Sequence, residues 1–426
     1  MKQGVADILF NGFIEPYRDN IWGHIYVTPA IGELCRSAPF NRLHHIRQLG
    51  PTYLVYPGAT HTRAAHSIGV YHLAKKLILQ LIERGADEWV SPQGILSFLC
   101  AALLHDIGHF PYTHSLKDLP LEQHEVLTGR LILSHELKSL IGRTGADPYM
   151  TAAIVDHSLP SQDNKEIHFY RNLLSGVLDP DKLDYLNRDA YHCGVPYGNQ
   201  DIDFTLSRLY PHKDRGVSID IKGIPSIEAL LFAKYLMYRS VYWHREVRSA
   251  TVMIKKAIRY GLAKSIIHPE ELYNLDDSGL FTKFAALDYE PFKLIQLVQS
   301  GHLWQPILEI PLPLDASNRQ MSWEVRESAE ALLAAFLSRS LKTTVSESQI
   351  ILDIPEPISF ETDLLLYESN KPFLTGTTVF TSETISAFTE KLRMIRLFAA
   401  PELYEAVMES NNILENLRNT EIWLHL

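Results

Sequence analysis

The chain has 426 residues, 46% of them hydrophobic and 21% charged, with a formal net charge of −10. That length points to two or three packed units, each able to bury a core without disulfide or metal staples. The acidic balance, 40 Lys+Arg against 50 Asp+Glu, argues against a general nucleic-acid binder or a membrane-surface coat. In chain order, Met1–Pro16 carries no long apolar run, so no targeting segment is expected. His61 to Arg84 presents His66, Val70, Leu73, Leu77 and Leu81 on one helical face, and Gly85 supplies a stop. Ser91 and Pro92 open a second helix whose body, Ile95–Leu104, is apolar on nearly every side. That run marks a buried central helix and is far short of a membrane span. A third helix begins at Asp179-Pro180 and stops near Gly194. A fourth is expected from near Ser226 to beyond Ile258.

The pattern changes after about Leu303. Pro306–Pro311, Ser348–Pro355 and Asp363–Tyr367 read as strands, and Trp323–Ser340 and Ser382–Phe398 as helices. The expected fold is therefore mainly α, a helical bundle over 1–303, with a smaller C-terminal α+β region over 304–426. Pro311-Leu312-Pro313 is a candidate boundary. No P-loop or GxGxxG fingerprint occurs. Cys35, Cys100 and Cys193 lack CxxC pairing, which excludes a disulfide framework and suits a reducing cytoplasm.

Nine of the 19 histidines fall between His44 and His124. The central apolar helix ends in His105-Asp106, and two ionisable groups at such a place need partners, either a divalent metal or a capping network. His66 interrupts the apolar stripe of the preceding helix, and Asp181 opens the third. Together these four residues supply two imidazoles and two carboxylates, a set suited to Fe, Mn, Co, Ni or Zn. Asp181, Tyr185 and Asp189 share one ridge, while Leu183 and Leu186 point to a core. Asp184 and Arg188 pair at i, i+4 and read as structural. His109, His114 and His124 follow the central helix, and Asp118 stands four after His114, where a helix would let it orient the imidazole. Arg63, Lys182, Lys234 and Arg245 are cations that could neutralise phosphates.

Four segments carry a closer resemblance: Phe40–Gly50, Tyr56–Val70, His105–His114 and Asp179–Asp189. They are similar to the deoxynucleoside triphosphate triphosphohydrolases of the HD-domain phosphohydrolases, in particular to the HD core of the sterile-alpha-motif and HD-domain dNTPases. The similarity runs from Asp7 to Ile258. It implies that His66, His105, Asp106 and Asp181 bind a divalent ion (Fe, Mn, Zn, Ni or Mg). It further implies that Arg63 and Lys182 contact phosphates, and that His109, His114 and His124 surround the α-phosphate and leaving group. Gln48, its neighbour Leu49, Tyr185 and Asp189 would hold the sugar, and Lys234, Tyr238 and Tyr242 would line the substrate site. The implied reaction is metal-dependent hydrolysis of deoxynucleoside triphosphates to deoxynucleoside and inorganic triphosphate, in a homo-oligomer, dimer or tetramer. Two departures stand out. Lys117 occupies the position of the family's acidic partner to the catalytic histidine, with Asp118 one later. Glu15, Arg36 and His44 replace the residues of a guanine-nucleotide activator site. Another HD phosphohydrolase activity (nucleotidase or phosphodiesterase) and a non-enzymatic nucleotide-binding regulator are the alternatives.

Overall fold

In the computed structural model, which describes Leu9 and residues 12–312, 322–376 and 378–425, helix ends in the first half of the chain fall where capping residues place them. The described residues form two compact units. One comprises residues up to 237 with 269–278 and 361–380; the other comprises 238–268, 279–360 and 381–425. Each unit thus draws on several stretches of chain. Pro313, part of the candidate boundary, lies outside the described residues.

The first unit opens with a short antiparallel hairpin, β1 (Tyr17–Asp19) and β2 (Gly23–Ile25). Helix α1 (Arg63–Glu83) starts where the Thr62 hydroxyl accepts from the Ala65 N–H, and Gly85, at φ +97°, follows its end. Helix α2 (Pro92–Leu104) is capped by Ser91, whose hydroxyl accepts from the Gly94 N–H. Residues Phe98 to Leu104 of α2 are all buried, so the helix is the centre of the unit. Each fully buried Leu or Phe there contributes roughly 1.5–3 kcal/mol. Helix α3 (His124–Ile132) follows. Helix α4 (Pro180–Cys193) is capped by Asp179 and terminated by Gly194 at φ +66°. Helix α1 packs against both α2 and α4, which brings the three expected metal-bearing segments together. Strands β3 (Leu209–His212) and β4 (Gly216–Ile219) pair antiparallel, and helix α5 (Ile224–Met237) follows them.

The second unit holds a long helix, α6 (Arg245–Ala263), and a three-stranded antiparallel sheet: β5 (Gln305–Pro311), β6 (Ile350–Asp353) and, between them, β7 (Met394–Ala399). Helices α7 (Trp323–Leu341) and α8 (Ser382–Leu392) belong to the same unit. Leu333 and Leu337 of α7 and Ile395, Leu397 and Ala399 of β7 share one apolar core.

Three expectations are corrected. The fourth helix does not run through: it ends at Met237, makes a π turn over Tyr238–Tyr242 closed by Trp243 N–H to Tyr238 O (2.9 Å), and restarts at Arg245. His244 sits at ψ 136° and its side chain accepts from Glu246 N–H, so it caps the new helix. The Ser382–Phe398 helix stops at Leu392. The run from Met394 turns into the central strand of the sheet, because both its edges find hydrogen-bonding partners and a fully buried strand has no polar alternation to betray it. Finally, the Asp363–Tyr367 strand shrinks to Leu365–Leu366 and pairs parallel with β4 of the first unit. Among the described residues no helix is long and apolar enough to cross a membrane.

Candidate active site

Three helix segments of the first unit deliver the four expected metal ligands to one place. His66 comes from the first turn of α1, His105 and Asp106 from the end of α2, and Asp181 from the first turn of α4. His66 Nε2 lies 3.0 Å from Asp181 Oδ1 and 4.0 Å from Asp106 Oδ2. His105 Nε2 lies 3.3 Å from Asp106 Oδ1 and 3.8 Å from Asp181 Oδ1. Donor atoms of His66, His105 and Asp181 all lie within 4.8 Å of one another.

Both histidines have their Nδ1–H already engaged. His66 Nδ1 donates to Asp184 Oδ2 at 2.8 Å, and His105 Nδ1 to the Ala102 carbonyl at 2.9 Å. These bonds fix the tautomers that turn both Nε2 lone pairs towards the carboxylates. His105 Nε2 is buried without a hydrogen-bond partner. Two lone pairs and two carboxylates facing one another repel unless a cation stands between them, and this mixed N/O set fits a divalent ion. Asp181 keeps 37% of its side chain exposed, so the site opens to solvent on that side.

The electrostatics agree. Burial would push the carboxyls up, but for Asp106 the neighbouring imidazoles and Arg63 outweigh it and hold the group well below the usual range. His66 moves the other way. Burial opposes its charge, yet the bonds to Asp181 and Asp184 raise it to about 10. Without a metal, a proton on His66 Nε2 fills part of the cation's role.

Asp184 is the support beneath this arrangement. Its carboxylate accepts from His66, from Arg188 Nε (2.8 Å) and Nη2 (2.9 Å), and from the Trp22 indole N–H (2.5 Å). Arg188 in turn reaches Asp19 Oδ2 at 2.9 Å. Asp184 and Arg188 are both fully buried. The i, i+4 pair is therefore structural as expected, but it also orients the His66 ring. Gly69 makes room for it: a Cβ there would lie 2.0 Å from Asp184 Oδ1 and 2.5 Å from Arg188 Nη2.

The histidine trio forms a second cluster at Asp106 Oδ1, the oxygen that also faces His105. His109 Nδ1 is 3.1 Å from Asp106 Oδ1, and His109 Nε2 is 3.1 Å from His114 Nε2. The ring of His124 lies 3.9 Å from that of His109. Gly108 permits this, since a Cβ would strike the His124 carbonyl at 2.3 Å and the Thr128 N–H at 2.5 Å. Thr128 Oγ1 clamps the turn, accepting from Gly108 N–H and donating to the His105 carbonyl. Arg42 donates to the carbonyls of Ile107 and His109. Burial, with Arg63 nearby, pushes His109 and His124 well down, so both are neutral at pH 7. His114 is the member open to solvent.

The helical basis for Asp118 does not hold. Thr113–Leu116 is a 3-10 turn, whose threefold repeat takes i and i+4 off one face, and Asp118 lies beyond it. The acidic groups that act most strongly on His114 are Asp106 and Asp181.

Among the residues expected to contact phosphates, Arg63 Nη1 meets Asp106 Oδ2 at 2.6 Å. Lys182 Nζ bonds Asp179 Oδ2 (2.7 Å) and the Gly176 carbonyl (3.0 Å), and Lys234 Nζ bonds Glu361 Oε2 (2.8 Å). Asp189, two turns beyond Asp181, accepts from His61 Nε2 at 2.8 Å. Tyr185 is half-buried on the turn between them. Gln48 and Leu49 are half-buried ahead of the Gly50–Leu54 turn, and Gln48 Oε1 is buried without a partner. Tyr238 and Tyr242 stand in the π turn of the second unit, their rings 5.0 Å apart. His44 is exposed, as are Glu15 and Arg36.

Residues 63–167 match the HD domain family, and residues 206–398 match the HD associated region. Residues 63–167 are thus an HD domain. The HD domain spans α1 to the segment before α4, so it takes in His66, His105 and Asp106, while Asp181 lies outside the matched span. The chain is 33% identical over 244 residues to the protein YwfO of Bacillus subtilis, covering 57% of this chain and 54% of that protein. It is 30% identical over 276 residues to the deoxynucleoside triphosphate triphosphohydrolase SAMHD1 of Danio rerio, covering 57% of this chain and 44% of that one. The matched part is about half the length of these curated relatives. In fold, the chain is similar to a hypothetical protein of Aquifex aeolicus (TM-score 0.71, 24% identity, 93% of this chain and 99% of that one).

Two predictions follow from the HD-domain geometry. Gly69→Ala should displace Asp184 and weaken manganese binding about 10–100-fold, read by equilibrium dialysis, with helix content unchanged; unaltered affinity would remove Asp184 from the account. In the range pH 6–8 the carboxylates are ionised, but His66 holds a proton that an arriving ion must displace. Metal affinity should therefore rise with pH, about tenfold per unit, and calorimetry in buffers of differing ionisation enthalpy should register the released proton. A flat profile would contradict this.

Proposed function

We propose that this protein is a metal-dependent phosphohydrolase that converts deoxynucleoside triphosphates to deoxynucleoside and inorganic triphosphate by attack of water at the α-phosphorus. The observation that carries the reading is the contact between two clusters: a four-donor His/Asp set and a trio of neutral imidazoles share Asp106. A divalent ion (Fe, Mn, Zn, Ni or Mg) held by His66, His105, Asp106 and Asp181 would supply Lewis acidity towards a phosphoryl oxygen and activate water. Arg63, fixed on Asp106, adds positive charge where the transition state spreads negative charge. His114, neutral like its two neighbours, is the group to take the proton of the attacking water and hand it to the 5′ oxygen as the bond from that oxygen to phosphorus breaks. His109 lies between His114 and Asp106, so positive charge on His114 is stabilised by a buried carboxylate. The similarity to deoxynucleoside triphosphate triphosphohydrolases supports the substrate class, with Gln48, Tyr185 and Asp189 on the sugar side and Lys182 and Lys234 towards the phosphates.

One observation favours a second reading. Lys182 and Lys234 are each already paired, with Asp179 and Glu361. A less highly charged phosphoester would need less of their charge, as in a nucleotidase or phosphodiesterase. The products decide. With manganese or magnesium and each dNTP in turn, ion-pair chromatography should show deoxynucleoside and inorganic triphosphate in equal amounts, and Asp106→Ala should abolish metal occupancy and turnover together. Stepwise release of monophosphate would establish the second reading, and full turnover by metal-stripped Asp106→Ala would overturn both.

A further inference from the structure

The sugar side of this site contains a histidine that the proposed mechanism does not use. His61 precedes α1, and its side chain, like that of Asp189, is almost wholly buried, at 1% and 2% exposure. His61 Nε2 stands 2.8 Å from Asp189 Oδ1. A carboxylate accepts, so Nε2 carries the hydrogen. The ring is held from one further direction. It stacks on His192 with centroids 4.4 Å apart and planes 21° apart, and His192 is itself 3.0 Å from the Asn20 amide. The backbone is held as well: the His61 carbonyl accepts from Gln48 N–H at 3.0 Å, beside an antiparallel bridge between Arg47 and Thr62. Gly58 lets its loop close over the end of α4, since a Cβ there would strike the His192 carbonyl at 2.4 Å.

We propose that His61 is a positioning residue for deoxyribose recognition, joining Gln48 through its main chain to Asp189 through its ring. The proposal rests on the deoxynucleotide reading given above. An aspartate on a helix has two rotatable side-chain bonds, and its carboxylate plane is fixed only if a partner fixes it. His61 commits one oxygen, which sets the direction of the other. Because the same residue carries Gln48 on its carbonyl, the spacing between the two sugar-side groups is determined by one short, buried segment. Preorganisation of this kind acts on affinity for the sugar and leaves the phosphate groups alone.

The test compares inhibition by the two products in dNTP hydrolysis. For His61→Leu, the inhibition constant of the deoxynucleoside should rise tenfold or more, while that of inorganic triphosphate stays within twofold. KM for the dNTP should rise with a smaller change in kcat. His61→Gln keeps an N–H donor and should recover part of the nucleoside affinity. Unchanged nucleoside inhibition in His61→Leu overturns the proposal. Equal loss of affinity for both products in both variants marks a structural role for His61 and also overturns it. If the wild-type protein releases no inorganic triphosphate at all, the deoxynucleotide reading fails and this inference with it, an outcome visible before any variant is made.

Discussion

A single buried carboxylate, Asp184, decides whether the rest of the site can exist. Burying an ion costs several kcal/mol unless its lone pairs are taken up, and here a guanidinium, an indole and an imidazole take them up together. Arg188 balances the charge, the N-terminal hairpin covers the pair through Asp19 and Trp22, and Gly69 gives the carboxylate its place against α1. What leaves this hub is one oriented hydrogen bond to His66. That bond sets a tautomer, and the tautomer sets the direction of a lone pair. The chain of cause runs through Asp184, Arg188 and His66, all of them buried.

The same logic applies at the end of α2. The helix is apolar because it is central, and its last turn must hand over to polar residues inside the protein. His105 solves half of this by donating back to Ala102, while Asp106 takes Arg63 and His109 as neighbours. Thr128 and Arg42 satisfy the carbonyls of the turn that follows. The backbone of the turn is therefore held where it joins the two clusters.

Much of this was legible in the sequence, because caps and periodicity are local. Ser91-Pro92, Asp179-Pro180, Gly85 and Gly194 mark helix ends that the fold respects. The convergence of His66, His105, Asp106 and Asp181 could be read from polar residues interrupting apolar faces. Other features depended on tertiary context. The i, i+4 spacing of Asp184 and Arg188 gives their adjacency but not their burial, so their hold on His66 was missed; Gly69, one turn beyond His66, was the available clue. Asp118 would face His114 only on an α-helical repeat, which the chain does not adopt there. Met394–Ala399 reads equally as helix or strand until β5 and β6 are placed on either side of it. The π turn at Tyr238–Tyr242 contains no glycine or proline to mark it in the sequence.

The central claim is that the tautomers fixed by Asp184 and Ala102 make His66, His105, Asp106 and Asp181 the seat of one divalent ion. Asp106, His109 and His124 form a competing set, with His109 Nδ1 facing Asp106 Oδ1 at 3.1 Å. Anomalous diffraction from crystals grown with manganese separates the two directly. The account predicts a peak enclosed by His66, His105, Asp106 and Asp181. A peak confined to Asp106, His109 and His124, or none at full manganese saturation, would contradict it.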